Sequence, residues 1–240
     1  MALVKQAIAK IITCQVTDKK QQSFTHSQSL WGLTASCEGF IGQLGGWVQG
    51  ECEQVSEEHN SDSHNQAVVI GLWQSQQDLT DFMESTHDDI IEQNLQPSTF
   101  IACQVNRHQH VLSMSLKALN IPEIQLISLV TCEGVIDKQK FVDEQKQFGI
   151  PALQKQLGFV GGDVWQQEKD SNKYLVLTYW SSEQAYEVYN LETLPNLTQL
   201  LNQENITQVS PQNVSGMKVS PRKITSKTVL VERRWDVIAG

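Results

Sequence analysis

Gly39-Phe40-Ile41-Gly42 recurs as Gly158-Phe159-Val160-Gly161, and this repetition decides the fold. Two further pairs of segments recur in the same order. Ile12-Thr13-Cys14-Gln15 returns as Val130-Thr131-Cys132-Glu133, and residues 68–73 return as residues 175–180. Each copy is about as long as one small domain. The shared order therefore predicts two similar folding units within one chain.

Each half shows the pattern of strand, helix, two strands, helix and strand. Alternating apolar residues predict strands in the first half at 8–16, 39–50, 66–74 and 99–105, with helices at 24–37 and after Ser75. The second half predicts strands at 126–135, 159–167 and 173–180, with helices at 138–157 and after Ser182. Both serines are predicted N-caps, and Pro195 should interrupt the last helix. This order is that of the ferredoxin-like β-α-β-β-α-β unit.

The sequence thus predicts an α+β fold made of two fused ferredoxin-like units. The first would span residues 1–116 and the second residues 124–240, with an extra C-terminal strand at 228–232. A sheet with helices on one face leaves its other apolar face to be buried. If the two bare antiparallel sheets meet, a pseudo-symmetric α/β barrel forms with a chamber for a small ligand. The polar segment 51–65 is expected to be an exposed loop.

Composition excludes several classes of function. The net charge of -9 and the lack of a basic stripe argue against nucleic-acid binding. The five cysteines form no C-x-x-C pair, which argues against a disulfide framework and a zinc site. The apolar segment 7–12 is short and contains Lys10, so we expect neither a signal peptide nor a membrane span. The cysteine pattern and the expected lack of a signal peptide predict a cytoplasmic location. Nucleotide, hydrolase and metalloprotease motifs are absent, and we predict neither a metal nor a cofactor. Either a monomer or a homodimer fits the sequence.

Several motifs occur in a characteristic order along the chain: Gln28-x-x-Trp31, the glycine-rich run 39–47, Gly71-x-Trp73, Thr86-His87-Asp88, Thr131-Cys132, Gln145-x-x-Phe148-x-x-Pro151 and Gly158-x-x-Gly161-Gly162. This order resembles that of the YdbC-like family of uncharacterised bacterial proteins. That family is similar in fold to the dimeric α/β-barrel superfamily, which includes the antibiotic-biosynthesis monooxygenases. The resemblance implies a fused pair of such modules, and it implies no single activity because the superfamily has several.

Aromatic and hydroxyl side chains are the candidates for contact with a small organic ligand. The aromatic candidates are Trp31, Trp47, Trp73, Phe148, Trp165 and Trp180. The alternative is structural, because a tryptophan at a strand end commonly anchors a helix to its sheet. Thr13 and Thr131 should face the chamber as polar anchors, since side chains alternate along a strand. Cys14 would then lie on the opposite face, where a small buried apolar role is favoured over a reactive thiol.

His87 and Asp88 form the candidate catalytic pair. A histidine beside a carboxylate can act as a general base near neutral pH, and the alternative is a solvated pair on a helix surface. His108 and His110 are expected at the surface. Three functions stay open: a monooxygenase-like enzyme that needs no cofactor, a non-catalytic ligand-binding or stress-response barrel, and a structural assembly unit. The sequence does not decide whether the protein is an enzyme.

Overall fold

The computed structural model describes residues 6–49, 64–115, 119–207 and 222–240. Within these ranges, eight long strands and one short strand form a single antiparallel sheet. The strands are β1 (Ile8–Thr17), β2 (Phe40–Gln49), β3 (His64–Trp73), β4 (Ala102–Ser113), β5 (Leu126–Glu133), β6 (Phe159–Gln167), β7 (Tyr174–Trp180), β8 (Lys223–Val231) and β9 (Val237–Ile238). Most of the predicted strands are therefore present within a few residues of their expected bounds. The predicted loop at 51–65 lies mainly outside the described residues.

The helices lie on the outer side of the sheet. They are α1 (Gln21–Ser29), α2 (Gln76–Ser85), α3 (His87–Gln93), α4 (Lys138–Glu144), α5 (Ile150–Gln154), α6 (Glu183–Val188) and α7 (Leu194–Thr207). The predicted helix at 24–37 is instead α1 followed by a 3-10 segment, Trp31–Ser36. A π-helical turn, Tyr189–Thr193, separates α6 from α7 just before Pro195, where an interruption was expected. No described helix has the length and apolarity needed to cross a membrane.

The sheet closes into a barrel of eight strands. Their order is β3-β1-β4-β6-β7-β5-β8-β2, and β2 pairs with β3 to complete the ring. Each half contributes four adjacent strands in the same internal order, β2-β3-β1-β4 and β6-β7-β5-β8. Two seams, β4–β6 and β8–β2, join the fourth strand of one half to the second strand of the other. The predicted fold class, two fused ferredoxin-like units forming an α/β barrel, is confirmed.

The end of the chain differs from the expectation. Residues 228–231 belong to β8, which is the fourth strand of the second unit rather than an addition to it. The short strand that is additional is β9, which pairs with β2 outside the ring of eight. The division of the chain at 116 and 124 stays a prediction.

The barrel interior is filled by apolar side chains. Buried residues from both halves pack there in one cluster, which includes Ala9, Ile11, Leu44, Ile70, Ile127, Leu129, Leu177 and Val229. The interior of an eight-stranded barrel is narrow enough for side chains to fill it, and here they do. The prediction of a chamber inside the barrel is therefore wrong where these side chains pack. The described spaces for a ligand lie between the sheet and the helices.

The turn before the second strand is alike in the two halves, where it bonds to the residue that follows the third strand. Gly39 and Gly158 both adopt a positive φ, and each carbonyl accepts a backbone hydrogen bond at 2.8 Å. The predicted N-caps are also confirmed. The Ser75 hydroxyl accepts from the Asp78 amide at 3.2 Å, and the Ser182 hydroxyl accepts from the Ala185 amide at 3.1 Å. These caps set where α2 and α6 begin, and α2 leads into α3, which carries the site described next.

Candidate functional site

The candidate site joins strand β1 to the start of α3. Lys10 points outward from β1 toward the helices, and its Nζ lies 3.2 Å from Nε2 of His87. On the other side of the ring, His87 Nδ1 lies 2.8 Å from Oδ1 of Asp88. Lys10 Nζ also lies 3.2 Å from Sδ of Met83 on α2. A lysine, a histidine and a carboxylate are thus connected in a row.

Aromatic rings surround this row. The His87 ring lies 5.7 Å from that of Trp31 and 5.6 Å from that of Phe82, measured between ring centroids. Trp73, at the end of β3, stacks on Phe82 at 4.8 Å. Trp31, Phe82 and Trp73 are all buried. Two of the predicted tryptophans therefore come together with the predicted histidine.

Burial changes the protonation of the pair. Burial, and to a lesser extent the nearby positive charge of Arg107, lower the pKa of Lys10 to about 8. Burial and the charge of Lys10 also lower the pKa of His87 below its ordinary value. At neutral pH, His87 is therefore uncharged and accepts a hydrogen bond from the Lys10 ammonium at Nε2. Its Nδ1–H then donates to Asp88, whose side chain is 86% exposed.

A small space, the inner cavity, lies beside Lys10 between the sheet and the helices. Its volume is about 20 Å³. It is lined by Lys10, Ile12, Gln28, Trp31, Thr34, Phe40, Gln43, Gly71, Trp73, Phe82 and Gln96. Three buried polar atoms of this lining have no hydrogen-bond partner among the described residues: Trp31 Nε1, Thr34 Oγ1 and Gln96 Oε1. A space of this size holds one water molecule or one polar group of a ligand.

A larger space, the outer groove, lies on the other side of Phe82. Its volume is about 360 Å³, within the range of small-molecule sites. The groove runs between the 3-10 segment and α2, and Phe82 lines both spaces. Its lining is Leu33, Ser36, Cys37, Glu38, Asp78, Asp81, Phe82, Ser85 and Thr86.

The remaining aromatic candidates lie away from His87. Trp47 packs against Phe24 and Trp235 beneath α1. Trp180 belongs to the second half, where its ring lies near that of Tyr189 and its Nε1 donates to Thr178 at 2.9 Å. Phe148 is half-buried in the π-helical turn that joins α4 to α5. The contacts of Trp47 and Trp180 fit the structural alternative, in which a tryptophan anchors a helix to its sheet.

Two other candidates and one more tryptophan face the barrel interior. Thr13 and Thr131 are half-buried on the face that also bears Ile11 and Leu129, as the alternation predicted. Trp165 is fully buried in the same interior cluster. Because that interior is filled with side chains, none of the three is part of the site around His87.

The sequence-based expectation for His108 and His110 is wrong. His108 is buried, and burial together with the charge of Lys173 lowers its pKa to about 4. His110 Nε2 lies 3.2 Å from Asp163 Oδ1, and the Ser113 hydroxyl donates to the same oxygen at 2.7 Å. These histidines are covered because β4 has a neighbouring strand on both sides, β1 on one and β6 on the other. Since Nε2 of His110 also lies 3.3 Å from Ser113, one nitrogen faces both groups, so this is not a Ser-His-Asp relay.

Lys10 is the functional candidate that sequence reasoning missed. It was noted only as an interruption of an apolar segment, although a lysine on the helix-facing side of a buried strand is itself a signal. No group of three or more metal-ligating side chains occurs in the part of the chain that the structure describes.

Comparison with known proteins agrees with this fold. A domain of unknown function, DUF4937, matches residues 8–108, and the antibiotic biosynthesis monooxygenase domain matches residues 137–190. The uncharacterised protein YdbC of Bacillus subtilis (strain 168) is 26% identical over 118 residues, which are 49% of this chain and 91% of YdbC. The predicted resemblance to the YdbC-like family is confirmed.

Solved structures share the whole architecture. A Fusobacterium nucleatum protein provisionally named a monooxygenase has a TM-score of 0.66 at 10% identity, covering 97% of this chain and 95% of its own. A Lactobacillus acidophilus protein with the same provisional name has a TM-score of 0.65 at 13% identity, covering 98% and 97%. An anthrone oxidase-like protein has a TM-score of 0.56 at 13% identity, covering 99% and 94%. At these identities the likeness concerns the fold alone.

Proposed function

We propose that this protein binds a small planar organic molecule beside Lys10 and His87, and that this pair removes a proton from it. The proposal rests on the 3.2 Å contact between Lys10 Nζ and His87 Nε2, which lies beside buried aromatic rings. A base whose pKa is close to the working pH is the best proton acceptor. Lys10, with its pKa lowered to about 8, meets that requirement.

The polar lining of the inner cavity supports an oxygen-bearing ligand. The Trp31 indole N–H can donate to a carbonyl or hydroxyl oxygen, while Gln96 Oε1 can accept from a hydroxyl. Because the inner cavity takes only a single polar group, the rings of the ligand would lie toward the outer groove. Phe82 separates the two spaces, so its side chain must move when the ligand binds.

The chemistry that fits is oxidation of an activated methylene group by molecular oxygen. Lys10 and His87 would take a proton from a carbon flanked by aromatic rings, which leaves a conjugated carbanion. The carbanion gives its electrons to oxygen, one oxygen atom becomes the new carbonyl, and the other leaves as water with the two hydrogens of the methylene. No metal or organic cofactor takes part in this balance. The monooxygenase domain match at 137–190 and the anthrone oxidase-like structure support this class of reaction.

The second candidate is binding without turnover. It is favoured by the small inner cavity of about 20 Å³, which does not hold the reacting part of an aromatic ligand unless the helix layer moves. In that case the outer groove would hold the ligand and the Lys10–His87 pair would serve only to orient it.

Anthrone is the probe that separates the two candidates. Its binding is followed by tryptophan fluorescence and its oxidation by oxygen uptake. We expect wild-type protein to bind anthrone and consume one oxygen per anthrone, and Lys10→Met and His87→Ala to lose at least about 100-fold in rate. His26→Ala, which changes an exposed histidine on α1, is the matched control. Binding without oxygen uptake favours the second candidate, and equal turnover in all variants removes Lys10 and His87 from the mechanism.

A further inference from the structure

Two cysteines face each other across the strands β1 and β4. Cys14 and Cys103 are directly paired in the register, and their sulfur atoms lie 3.2 Å apart. The Cys14 thiol donates its hydrogen to the sulfur of Cys103. Both are free thiols. The fold has therefore brought two thiols 89 residues apart in sequence into contact.

The strand pairing at this position suits a bond between them. The amide of His110 donates to the carbonyl of Ala7, so that pair is a hydrogen-bonded one. Pair types alternate along an antiparallel ladder, and Cys14–Cys103 is seven positions further on, so it is a non-hydrogen-bonded pair. Such pairs have Cα atoms about 4.5 Å apart, near the lower limit for a disulfide. Closing the bond thus needs side-chain rotation and no rearrangement of the strands.

The two thiols differ in their surroundings. Cys14 is buried with Val16, Phe24 and Trp235, whereas Cys103 is exposed. The hydrogen bond from Cys14 and the positive charge of Lys10 together lower the pKa of Cys103 to about 7. An accessible thiolate thus lies next to a buried thiol. The sequence had favoured an inert, buried Cys14, and its hydrogen bond to Cys103 together with burial does raise the pKa of that thiol. The positive charge of Lys10 acts instead on Cys103.

The equivalent position in the second half is a natural comparison. Cys132 on β5 is paired with Ile224 on β8, where the first half has Cys103. Burial raises the pKa of Cys132 to about 11. A thiol at the same place in the fold, without a partner thiol, is therefore protonated and unreactive. The reactive arrangement belongs to the first half alone among the described residues.

We propose that Cys14 and Cys103 form a peroxide-sensitive dithiol pair that closes reversibly to a disulfide. The Cys103 thiolate attacks one oxygen of a hydroperoxide and becomes a sulfenic acid, while the other oxygen takes up a proton and leaves as an alcohol or as water. Cys14 then attacks the Cys103 sulfur, the sulfur–sulfur bond forms, and the sulfenic oxygen leaves as water. Overall, two thiols and one hydroperoxide give one disulfide, one water and one alcohol, and with hydrogen peroxide the alcohol is replaced by a second water. Thiol reductants reverse the reaction by exchange.

Hydrogen peroxide added to the reduced full-length protein tests the proposal. We expect two of the five thiols to be lost and to return with dithiothreitol. After the free thiols are blocked, digestion and mass spectrometry should show one linked pair of peptides containing Cys14 and Cys103. Chymotrypsin after Phe100 separates Cys103 from the other cysteines of its half. Linkage of other cysteines, or no loss of thiols at doses that oxidise a free thiol such as glutathione, would overturn the proposal.

Variants assign the two roles. Cys103→Ser should lose no thiols to peroxide, whereas Cys14→Ala should stop at a sulfenic acid that dimedone traps on Cys103. Cys37→Ser, which changes a half-buried cysteine outside the pair, is the matched control and should still form the bond. At pH 6.5, Cys103 should also react with iodoacetamide at least about 100-fold faster than Cys132. If Cys14→Ala does not fold, the linked peptides of the wild-type protein still decide the question. If dimedone labelled Cys37 rather than Cys103 in Cys14→Ala, the proposal would be contradicted.

Discussion

Lys10 Nζ lies 3.2 Å from His87 Nε2, although 77 residues separate the two in the chain. The contact exists because β1 lies in the middle of the first half's sheet, between β3 and β4, while α2 leads into α3 across the outer face of that sheet. Burial makes the charged form of both groups less favourable, and the positive charge of Lys10 has the same effect on His87. Lys10 and His87 therefore each release a proton at a lower pH than they would in water, which brings the Lys10 amine closer to acting as a base at neutral pH.

The buried amine of Lys10 should make stability depend on pH. The folded state releases this proton near pH 8 and the unfolded chain near 10.5, so between these values the unfolded state binds more protons and stability rises with pH. We expect wild-type stability, relative to Lys10→Met, to increase by about 2.5 kcal/mol between pH 7 and pH 10.

Urea unfolding of both proteins at the two pH values measures this difference. The comparison with Lys10→Met cancels the ionisation of tyrosines and of other lysines, because both proteins contain them. A difference that is constant with pH would mean that the Lys10 pKa has its ordinary value in the folded protein.

The sequence predicted the strands, both N-caps and the closed arrangement of two sheets. These follow from local patterns, such as the alternation along 68–73 and the serines at 75 and 182. It did not predict the filled interior. Alternation shows which face of a strand is apolar, but whether Leu44, Ile70 and Leu177 fill the barrel depends on their combined volume across strands that are far apart in sequence.

Only part of the site was predicted, because a local sequence pattern does not show contacts between residues that are far apart in the chain. His87 and Asp88 are adjacent in sequence, so their contact could be expected. The Lys10 contact could not, because it requires knowing which strand lies beneath α3. His110 was assigned to the surface since a single strand gives no sign of having neighbours on both sides, and β4 has them.

Asp163 should be more important for stability than its neighbours inside the barrel. Its carboxylate is buried and accepts from both His110 and Ser113. Asp163→Ala leaves these two groups without a partner, and we expect a loss of about 3 kcal/mol. Asp163→Asn keeps an oxygen for Ser113 and should lose about 1 kcal/mol at pH 7.

The same carboxylate predicts an effect of acid. Burial raises the Asp163 pKa above 3.8, so the folded state takes up a proton at higher pH than the unfolded chain does. Wild-type protein should therefore gain stability relative to Asp163→Asn as the pH falls from 7 toward the raised pKa of Asp163. Chemical unfolding at pH 7 and pH 4.5 measures this, and a gain in the opposite direction would mean that the hydrogen bonds outweigh burial.

Thr34 tests the polar lining of the inner cavity. Its hydroxyl is buried and unpartnered among the described residues, so Thr34→Val removes no hydrogen bond from the protein itself. We expect thermal stability to change by less than about 1 kcal/mol. If a ligand oxygen bonds to this hydroxyl, anthrone should bind about ten-fold more weakly, which corresponds to one lost hydrogen bond.

Fluorescence titration gives the affinity and calorimetry gives the stability. Thr80→Val is a matched control, because this threonine lies on α2 outside both spaces, and its hydroxyl bonds within the helix. Equal anthrone affinity for Thr34→Val and wild-type protein would place the ligand elsewhere.

Closure of the barrel should depend on Gly46. This residue lies on β2 at the β8–β2 seam, opposite Val231. A Cβ atom added there would lie 1.8 Å from the Leu230 carbonyl oxygen and 2.9 Å from the Glu232 nitrogen, so β8 would have to move away. We expect Gly46→Ala to lose about 3 kcal/mol in urea unfolding. Gly32→Ala, where no atom lies within 4 Å of the added Cβ, should change stability by less than about 1 kcal/mol. If both alanines were tolerated equally, β2 and β8 would not be in contact as described, and the barrel would be open at this seam.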